Sequence, residues 1–423
     1  MDRYTDPTNK TTADQNATAV NEEEATSTPK KEKVDLHGHL RRLAASAKTG
    51  QPMGRHPLLC TVGSSDLHSG DMMPADGICE YLFFAHYYRS SGDTFADDSA
   101  NKTRAFLDHA SRSSNTTFGI SVTYRNMAAA RRDMAKRGGE RKLQFYWDEN
   151  RVYHYGVLDV ENMGSQGANT GQLQLAFDLL KDFRRVQSKL QQRTDSGRAR
   201  RRGFVILGVT PWVHANNDVF KELSKHLKSS SIDGLVLRTH LFDSEITSKF
   251  RTCLVTPPTS YDKPESDYLM GMADVVRLYK KRRPSSWRHS LMVSFTMALR
   301  WYKTVNGSQG MWAPCDKKHA AAVSVMDATH ACKQVPNLFT STEVDNQTRA
   351  VIAFGAGGKT GTYDDGSTML RKICALSVDF PDVETGAAIF DTDFQDWSRS
   401  CTQRGQEKVK DSRRLRGVRN RYR

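Results

Sequence analysis

The sequence contains no long run of apolar residues. Its longest apolar pieces are short, such as FVILGV and LMVSF, whereas a membrane-spanning helix needs roughly 18 consecutive apolar residues. The residues that follow Met1 also lack the pattern of a secretory signal peptide. The sequence therefore argues against a membrane span, and it shows no export signal.

Patterns that bind metal ions are missing as well. The chain has seven cysteines but no Cys-x-x-Cys pair, and its histidines show no spacing that suits two ligands of one ion. Structural zinc sites usually carry such spacings. We therefore expect no metal site and no cofactor.

The positive charge of the chain lacks the features of a nucleic-acid reader. The formal net charge is +14 and the isoelectric point is about 9.4. Sequence-specific readers combine basic residues with interleaved aromatic residues or a known motif, and neither is present here. We expect weak binding of polyanions through a basic C-terminal tail and no specific nucleic-acid partner.

Composition divides the chain into three parts. Hydrophobic residues make up 38% of it, which is low for a chain that is folded throughout. Residues 1–56 are rich in Thr, Asn, Glu and Lys, which predicts a disordered polar tail. Residues 403–423 include KVKDSRRLRGVRNRYR, which predicts a solvated basic tail. The folded domain is then expected at 57–402.

Within that domain, short apolar segments alternate with amphipathic ones. Eight segments have the composition of strands, at 58–62, 78–88, 117–124, 155–160, 203–210, 232–240, 291–299 and 386–394. Helical spacing is clearest in TGQLQLAFDLLKDFRRVQSKL and recurs in NDVFKELSKHLKS and DYLMGMADVVRLYKK. Eight strands alternating with helices predict an α/β fold, the (β/α)8 TIM barrel, with a doubly wound sheet as the alternative. Residues from about 303 to 350 would form a small insertion.

The fourth segment, YHYGVLDVENM, holds two acids among apolar residues. In an extended chain Asp159 and Glu161 share one face, and Leu158 and Val160 share the other. An apolar outer face and an acidic inner face suit the wall of a barrel that opens onto a polar site. Alternatively, the two acids pair with an inward Arg238 or His240 and serve only to stabilise the core.

Three stretches carry a resemblance to a known family. CTVGSSDLHSGDMMPADGICEYLFFAHYY places cysteines on the first strand and before the second; GAAIFDTDFQDWSRSC is similar to a final strand Gly-Ala-Met-x-Trp-x-x-Asp-x-Asp-Asp-Phe with a following cysteine; and the fourth segment stands where an Asp-Gly-x-Asp-x-Asp-x-Glu motif would lie. Together they resemble glycoside hydrolase family 18, the chitinases and chitinase-like proteins, and especially the secreted ones of arthropods. The resemblance spans roughly 57–402.

Two alignments of the acidic motif are possible. Aligning Gly156 with the motif glycine puts Asn162 at the catalytic glutamate, whereas aligning Asp159 and Glu161 with the final Asp-x-Glu keeps both acids. We favour the second, because the first would direct both charges at the helix layer. The resemblance then implies that Glu161 protonates the leaving oxygen while Asp159 orients the N-acetyl group of the substrate, which attacks the anomeric carbon.

Several departures from the family pattern argue against efficient catalysis. Val157 replaces the third inner acid, and Phe390 replaces the tryptophan that floors the sugar subsite. The third strand reads SVTYRN where the family has Ser-x-Gly-Gly, so Tyr124 would intrude near the site. On the sixth strand, Asp243 is a weak substitute for the family's acetamide-holding Tyr-Asp. The candidate substrate-binding residues are Phe390, Tyr124, Arg238 and Asp243.

The family resemblance also implies disulfides. It pairs Cys60 with Cys79, Cys374 with Cys401 and Cys315 with Cys332, and leaves Cys253 over. Six Asn-x-Ser/Thr sequences, starting at Asn9, Asn16, Asn101, Asn115, Asn306 and Asn346, fit a secreted glycoprotein but also arise by chance. An extracellular location is expected from these features, despite the lack of a visible signal peptide.

Three functional hypotheses follow. The first is a secreted chitinase-like barrel that binds N-acetylglucosamine-type carbohydrate with little or no turnover, and the second is an active family 18 hydrolase. The third, more distant one is an intracellular basic adaptor. Aromatic residues at Trp212, Trp301, Tyr302, Trp312 and Trp397 could line a sugar cleft, although burial in the core explains most aromatic side chains.

Overall fold

The structure is a computed structural model. It describes residues 53–63, 72–88, 95, 101–161, 170–194, 202–211, 213–214, 217–227, 232–240, 253–262, 270–284, 287–305, 307–316, 341–395 and 413–421. The predictions for residues 1–52, for Asp243, Trp212 and Trp397, and for Cys332 and Cys401 concern residues outside these ranges.

Eight parallel strands form a closed barrel in chain order. They are β1 (Leu58–Val62), β2 (Tyr81–Tyr88), β3 (Thr117–Val122), β4 (Val152–Val160), β5 (Val205–Val209), β6 (Gly234–Leu237), β7 (Ser290–Thr296) and β8 (Thr385–Phe390). Each strand pairs with the next, and β8 pairs with β1, so the sheet has no open edge. The predicted (β/α)8 barrel is confirmed.

Helices surround this barrel. They are α1 (Asn101–Arg112), α2 (Met127–Met134), α3 (Arg137–Glu149), α4 (Thr170–Thr194), α5 (Val219–Leu227), α6 (Met272–Arg282), α7 (Gly366–Asp379) and α8 (Arg413–Arg421). The strands read as nearly continuous apolar segments because one face packs on these helices and the other fills the barrel. This is why their positions could be found from the sequence.

Alternate residues of the strands separate into two cores. A small inner core fills the barrel and includes Leu59, Phe83, Ile206 and Met292. A larger outer core, between strands and helices, takes the intervening positions such as Cys60. The inner core also contains Met53, so the barrel takes in residues from within the predicted tail 1–56.

The C-terminal helix α8 belongs to the outer core. Leu415 and Val418 are fully buried on it, and Arg419 forms an ion pair with Glu80 at 2.9 Å. Arg414 donates to Met297 O at 3.3 Å, beyond the end of β7. The expectation of a solvated tail at 403–423 is therefore wrong for residues 413–421, because an apolar pair three residues apart gives the basic helix a buried face.

The insertion after β7 is a four-stranded antiparallel sheet. Its order is Arg300–Lys303, Lys359–Tyr363, Val351–Gly355 and Ser341–Val344. A bond between Cys253 and Cys315 joins this sheet to the segment that precedes α6. The predicted pairing of Cys315 with Cys332 is therefore wrong, and so is the expectation that Cys253 is left over.

The other disulfide expectations have different outcomes. Cys60 and Cys79 are bonded, with a Cα to Cα distance of 5.9 Å, as predicted. Cys374 on α7 has no disulfide partner among the described residues. Its pairing with Cys401 stays a prediction.

His154 lies inside the barrel among aromatic rings. Its ring stacks on Phe204 at a centroid distance of 5.0 Å, and its Nδ1 accepts a hydrogen bond from the Phe204 backbone N–H at 3.0 Å. Complete burial lowers the pKa of His154 to about 3. The side chain is therefore neutral throughout the physiological range.

We expect the protein to lose stability as the pH falls below 6.5, partly through His154. The unfolded histidine binds a proton near pH 6.5 and the folded one only near pH 3. Acid therefore favours the unfolded chain, and His154 contributes about 2 kcal/mol to this loss of stability at pH 5.

Urea denaturation at pH 7.5 and pH 5.0 measures the loss of stability. His154→Asn, which keeps an acceptor for Phe204, should shrink it, whereas His226→Asn on α5 should not. Equal losses in all three proteins would contradict this role.

Candidate functional site

The candidate acids lie at the carboxyl end of β4, where active sites of β/α barrels are built. The register of β4 against β5 shifts between Val157 and Val160. As a result Leu158 belongs to the inner core and Val160 to the outer core. The expectation that these two residues share a face is wrong, because a bulge interrupts the simple alternation of the strand.

Asp159 is held by the end of β3. It is 5% exposed. Its Oδ2 accepts a hydrogen bond from Thr123 Oγ1 at 2.7 Å, and its Oδ1 accepts one from the Tyr124 backbone N–H at 2.9 Å. Both carboxylate oxygens are therefore fixed by protein donors.

Glu161 forms an ion pair with Arg238, which follows β6. Arg238 Nη1 lies 3.2 Å from Glu161 Oε1, and the two side chains are only 6% and 11% exposed. The Arg238 guanidinium also lies over the ring of Phe390, 5.5 Å from its centroid. The sequence left open an alternative in which the two acids pair with Arg238 or His240 and stabilise the core. The ion pair between Glu161 and Arg238 agrees with this alternative.

Phe390, at the end of β8, is covered from two directions. Besides Arg238, the ring of His240 lies 4.5 Å from its centroid. Phe390 is 5% exposed. It therefore lies beneath the site and does not present an open face on which a sugar could stack.

Ser294 fixes the orientation of His240. The backbone N–H groups of Thr239 and His240 donate to Ser294 Oγ at 2.8 and 3.3 Å. The Ser294 hydroxyl is thereby directed at His240 Nδ1, 2.6 Å away. Burial, followed by the charges of Arg238 and Arg300, holds the pKa of His240 well below its usual range, so its ring is neutral.

Arg125 is exposed at the site, whereas its neighbour Tyr124 is only 6% exposed. Arg125 Nε donates to the Tyr124 hydroxyl at 3.0 Å, and its guanidinium lies 5.5 Å from the ring centroid. Burial raises the pKa of Tyr124; the Arg125 contact opposes this effect, and the charges of Glu161 and Asp159 add to it. Both acids are therefore close to Tyr124.

A third acid at the barrel mouth was missed by the sequence analysis. Asp391 follows β8 in a left-handed conformation, with φ of 58°. Its Oδ2 accepts a hydrogen bond from Thr296 Oγ1 at 2.5 Å, and its backbone N–H donates to Thr61 Oγ1 at 3.1 Å. The sequence does contain an indication of Asp391, because an acidic residue directly follows the apolar segment of β8.

The structure thus brings together five of the candidates, Asp159, Glu161, Tyr124, Arg238 and Phe390. Of the aromatic residues considered for a cleft, Trp301 and Tyr302 are buried and Trp312 is partly exposed.

Within the described ranges, no group of three or more His, Cys, Asp or Glu side chains is arranged to hold a metal ion. Among the helices that the structure describes, none combines the length and hydrophobicity needed to cross a membrane.

Comparison with solved structures identifies proteins of the same architecture. A chitinase from Trichuris suis, TsES1, matches with a TM-score of 0.59 and 12% identity over 86% of this chain and 99% of its own. Human YKL-39, a pseudo-chitinase with retained chitooligosaccharide binding, matches with a TM-score of 0.57 and 12% identity over the same shares. A chitinase-like agglutinin from Robinia pseudoacacia matches with a TM-score of 0.53 and 11% identity, again over 86% and 99%.

Sequence comparisons give no such match. No protein-family model matches the chain, and no curated protein does. At 12% identity or less, the three structural matches establish the fold alone. The chain therefore has the β/α barrel fold of family 18 chitinases and chitinase-like proteins.

Proposed function

We propose that the protein is a divergent, secreted chitinase-like protein that binds N-acetylglucosamine oligomers at the barrel mouth and hydrolyses them slowly or not at all. The observation that carries the proposal is the ion pair between Glu161 and Arg238. A general acid must deliver a proton to the leaving oxygen of the substrate. The Arg238 guanidinium instead donates a hydrogen bond to Oε1 of Glu161.

The surroundings of Glu161 support low turnover. Asp159 has both oxygens engaged by Thr123 and Tyr124, so reorienting it toward an acetamide would break two hydrogen bonds. The expectation that Val157 takes the place of the family's third inner acid is wrong, because Val157 packs in the outer core and the apolar Leu158 takes the inner position; neither residue is an acid. Each lost partner removes stabilisation of the transition state, and a general acid alone contributes about 10²- to 10⁴-fold.

Binding without turnover has support of its own. Arg125 is exposed at the mouth, and the Tyr124 contact holds its guanidinium in place. A fixed guanidinium is a good donor for sugar hydroxyl and carbonyl oxygens. Among the proteins with the same fold, the pseudo-chitinase YKL-39 retains chitooligosaccharide binding. The two disulfides of the described residues support the extracellular location.

We expect wild-type protein to release fluorophore from a chitobioside no faster than Glu161→Gln does. The full chain must be used, because α8 contributes Leu415 and Val418 to the outer core. Chito-oligosaccharide binding is measured by calorimetry on the same samples. Arg125→Ala should weaken binding about fivefold, as expected for the loss of one hydrogen bond. Arg277→Ala, an exposed arginine on α6, is the matched control.

Three other outcomes of this experiment would each contradict a part of the proposal. Robust turnover that Glu161→Gln abolishes would show an active hydrolase and contradict the proposal. Absence of both binding and turnover would remove the carbohydrate ligand while leaving the fold unaffected. Equal binding by wild type and Arg125→Ala would place the ligand away from Tyr124 and Arg125.

A further inference from the structure

The insertion sheet ends in an exposed edge strand. Ser341–Val344 is outermost in the sheet and, within the described ranges, pairs only with Val351–Gly355. All four of its residues are exposed, and Val344 is 40% exposed. An open edge presents unpaired backbone groups to which other chains can add, so soluble proteins normally protect such strands. Glu343 is the single charge on this one.

A tight turn follows this strand. The backbone N–H of Asp345 donates to Ala350 O at 3.0 Å, and that of Arg349 donates to Asp345 O at 2.9 Å. Asp345 Oδ1 also accepts hydrogen bonds from the Thr348 backbone N–H at 2.7 Å and from the Thr348 hydroxyl at 2.6 Å. Asn346 starts the turn, and it is exposed.

Asn346, Gln347 and Thr348 form an Asn-x-Thr acceptor sequence. Among the described residues the Asn346 side chain makes no hydrogen bond. The other two described acceptor sequences differ. Asn115 Nδ2 donates to Asp76 Oδ2 at 3.0 Å and to Ser114 Oγ at 3.2 Å. Asn101 Oδ1 accepts from Arg104 at 2.9 Å. Glycosylation replaces a hydrogen of Nδ2, so Asn115 would lose a donor that is in use, whereas Asn346 would lose no contact.

We propose that Asn346 carries an N-linked glycan and that this glycan shields the edge strand Ser341–Val344. The glycan donor is an oligosaccharide linked to a polyisoprenyl diphosphate. A bond forms between Asn346 Nδ2 and C1 of the first sugar, the bond from C1 to the diphosphate oxygen breaks, and Nδ2 loses a proton. The lipid diphosphate is the leaving group.

One further observation supports the site, and a second restricts when the glycan can be added. The disulfides Cys60–Cys79 and Cys253–Cys315 are typical of an oxidising compartment, and N-glycosylation takes place in such a compartment in eukaryotic cells. In the folded chain Thr348 is fully buried and its hydroxyl is bonded to Asp345. The transfer must therefore precede closure of the turn.

The test is expression of the full chain behind a cleavable leader in eukaryotic secretory cells. Enzymatic removal of glycans in ¹⁸O water converts each glycosylated asparagine to labelled aspartate, which peptide mapping detects. We expect the label at Asn346 in most chains. If secretion is poor, the chain is instead translated in the presence of microsomes and treated with protease. Only the chains that the microsomes protect are then mapped for the label. Protected chains that lack the label at Asn346 would overturn the proposal.

Shielding is tested on the purified proteins. Asn346→Gln should aggregate at least twofold faster than wild type in light scattering, because its edge strand is uncovered. Asn115→Gln is the matched control, and its rate should follow any loss of stability measured by urea denaturation. Equal aggregation of wild type and Asn346→Gln, with Asn346 labelled in the wild type, would overturn the shielding role.

Discussion

Replacing Lys372 with methionine should lower the free energy of unfolding by about 3–5 kcal/mol, the range expected when a buried ion pair loses one partner. Lys372 on α7 and Asp364 are both fully buried, and Lys372 Nζ lies 2.5 Å from Asp364 Oδ1. Lys372 Nζ also donates to the backbone and hydroxyl oxygens of Thr259, each at 2.9 Å. Without the lysine, the carboxylate of Asp364 stays buried with its charge uncompensated.

Urea denaturation measures this loss, and a surface ion pair provides the control. Lys280 pairs with Asp382 at 2.7 Å, but their side chains are 48% and 56% exposed. Lys280→Met should therefore cost no more than about 1 kcal/mol. A similar small loss for Lys372→Met would mean that Asp364 is not held as a charged group. The double variant Lys372→Met/Asp364→Leu should be more stable than Lys372→Met alone, because it leaves no unpaired charge.

Replacing Leu415 with alanine should lower the free energy of unfolding by about 2–5 kcal/mol, the usual cost of such a cavity in a core. Leu415 is fully buried on α8 although the helix is rich in arginine. Val418→Ala should cost somewhat less, because a smaller side chain is removed. Asn420→Ala, exposed on the same helix, should change stability by no more than about 0.5 kcal/mol. A cost for Leu415→Ala no larger than that of Asn420→Ala would mean that α8 is not part of the core.

The barrel could be predicted from the sequence because its strands are buried on both faces. Parallel strands of this kind read as continuous apolar segments, which stand out against amphipathic helices. Helix α8 was missed for the opposite reason. Its buried face consists of two apolar residues, Leu415 and Val418, and Arg414 and Arg419 turn inward to bond with Gln395 and Glu80. Charge alone suggested a solvated tail.

The site could be predicted in part. Asp159 and Glu161 were found because acids are unusual within an apolar strand. Their partners could not be chosen from the sequence, because Thr123 and Arg238 are brought to β4 from other strands of the closed barrel. The bulge between Val157 and Val160 also depends on pairing with β5 and leaves no mark in the alternation of residues. Cysteine pairing shows the same limit, since Cys253 and Cys315 are 62 residues apart.

The pairing of β1 with β8 constrains when the protein can fold during its synthesis. Leu58 aligns with Ala387 and Cys60 with Ile389, so the ring of strands closes only after more than three hundred further residues have been made. Helix α8 joins the core later still. Contacts so distant along the chain form slowly. Until the ring closes, β1 lacks one of its two neighbours and its backbone groups on that side stay unpaired, so chaperones that bind extended apolar segments would have their longest access to β1.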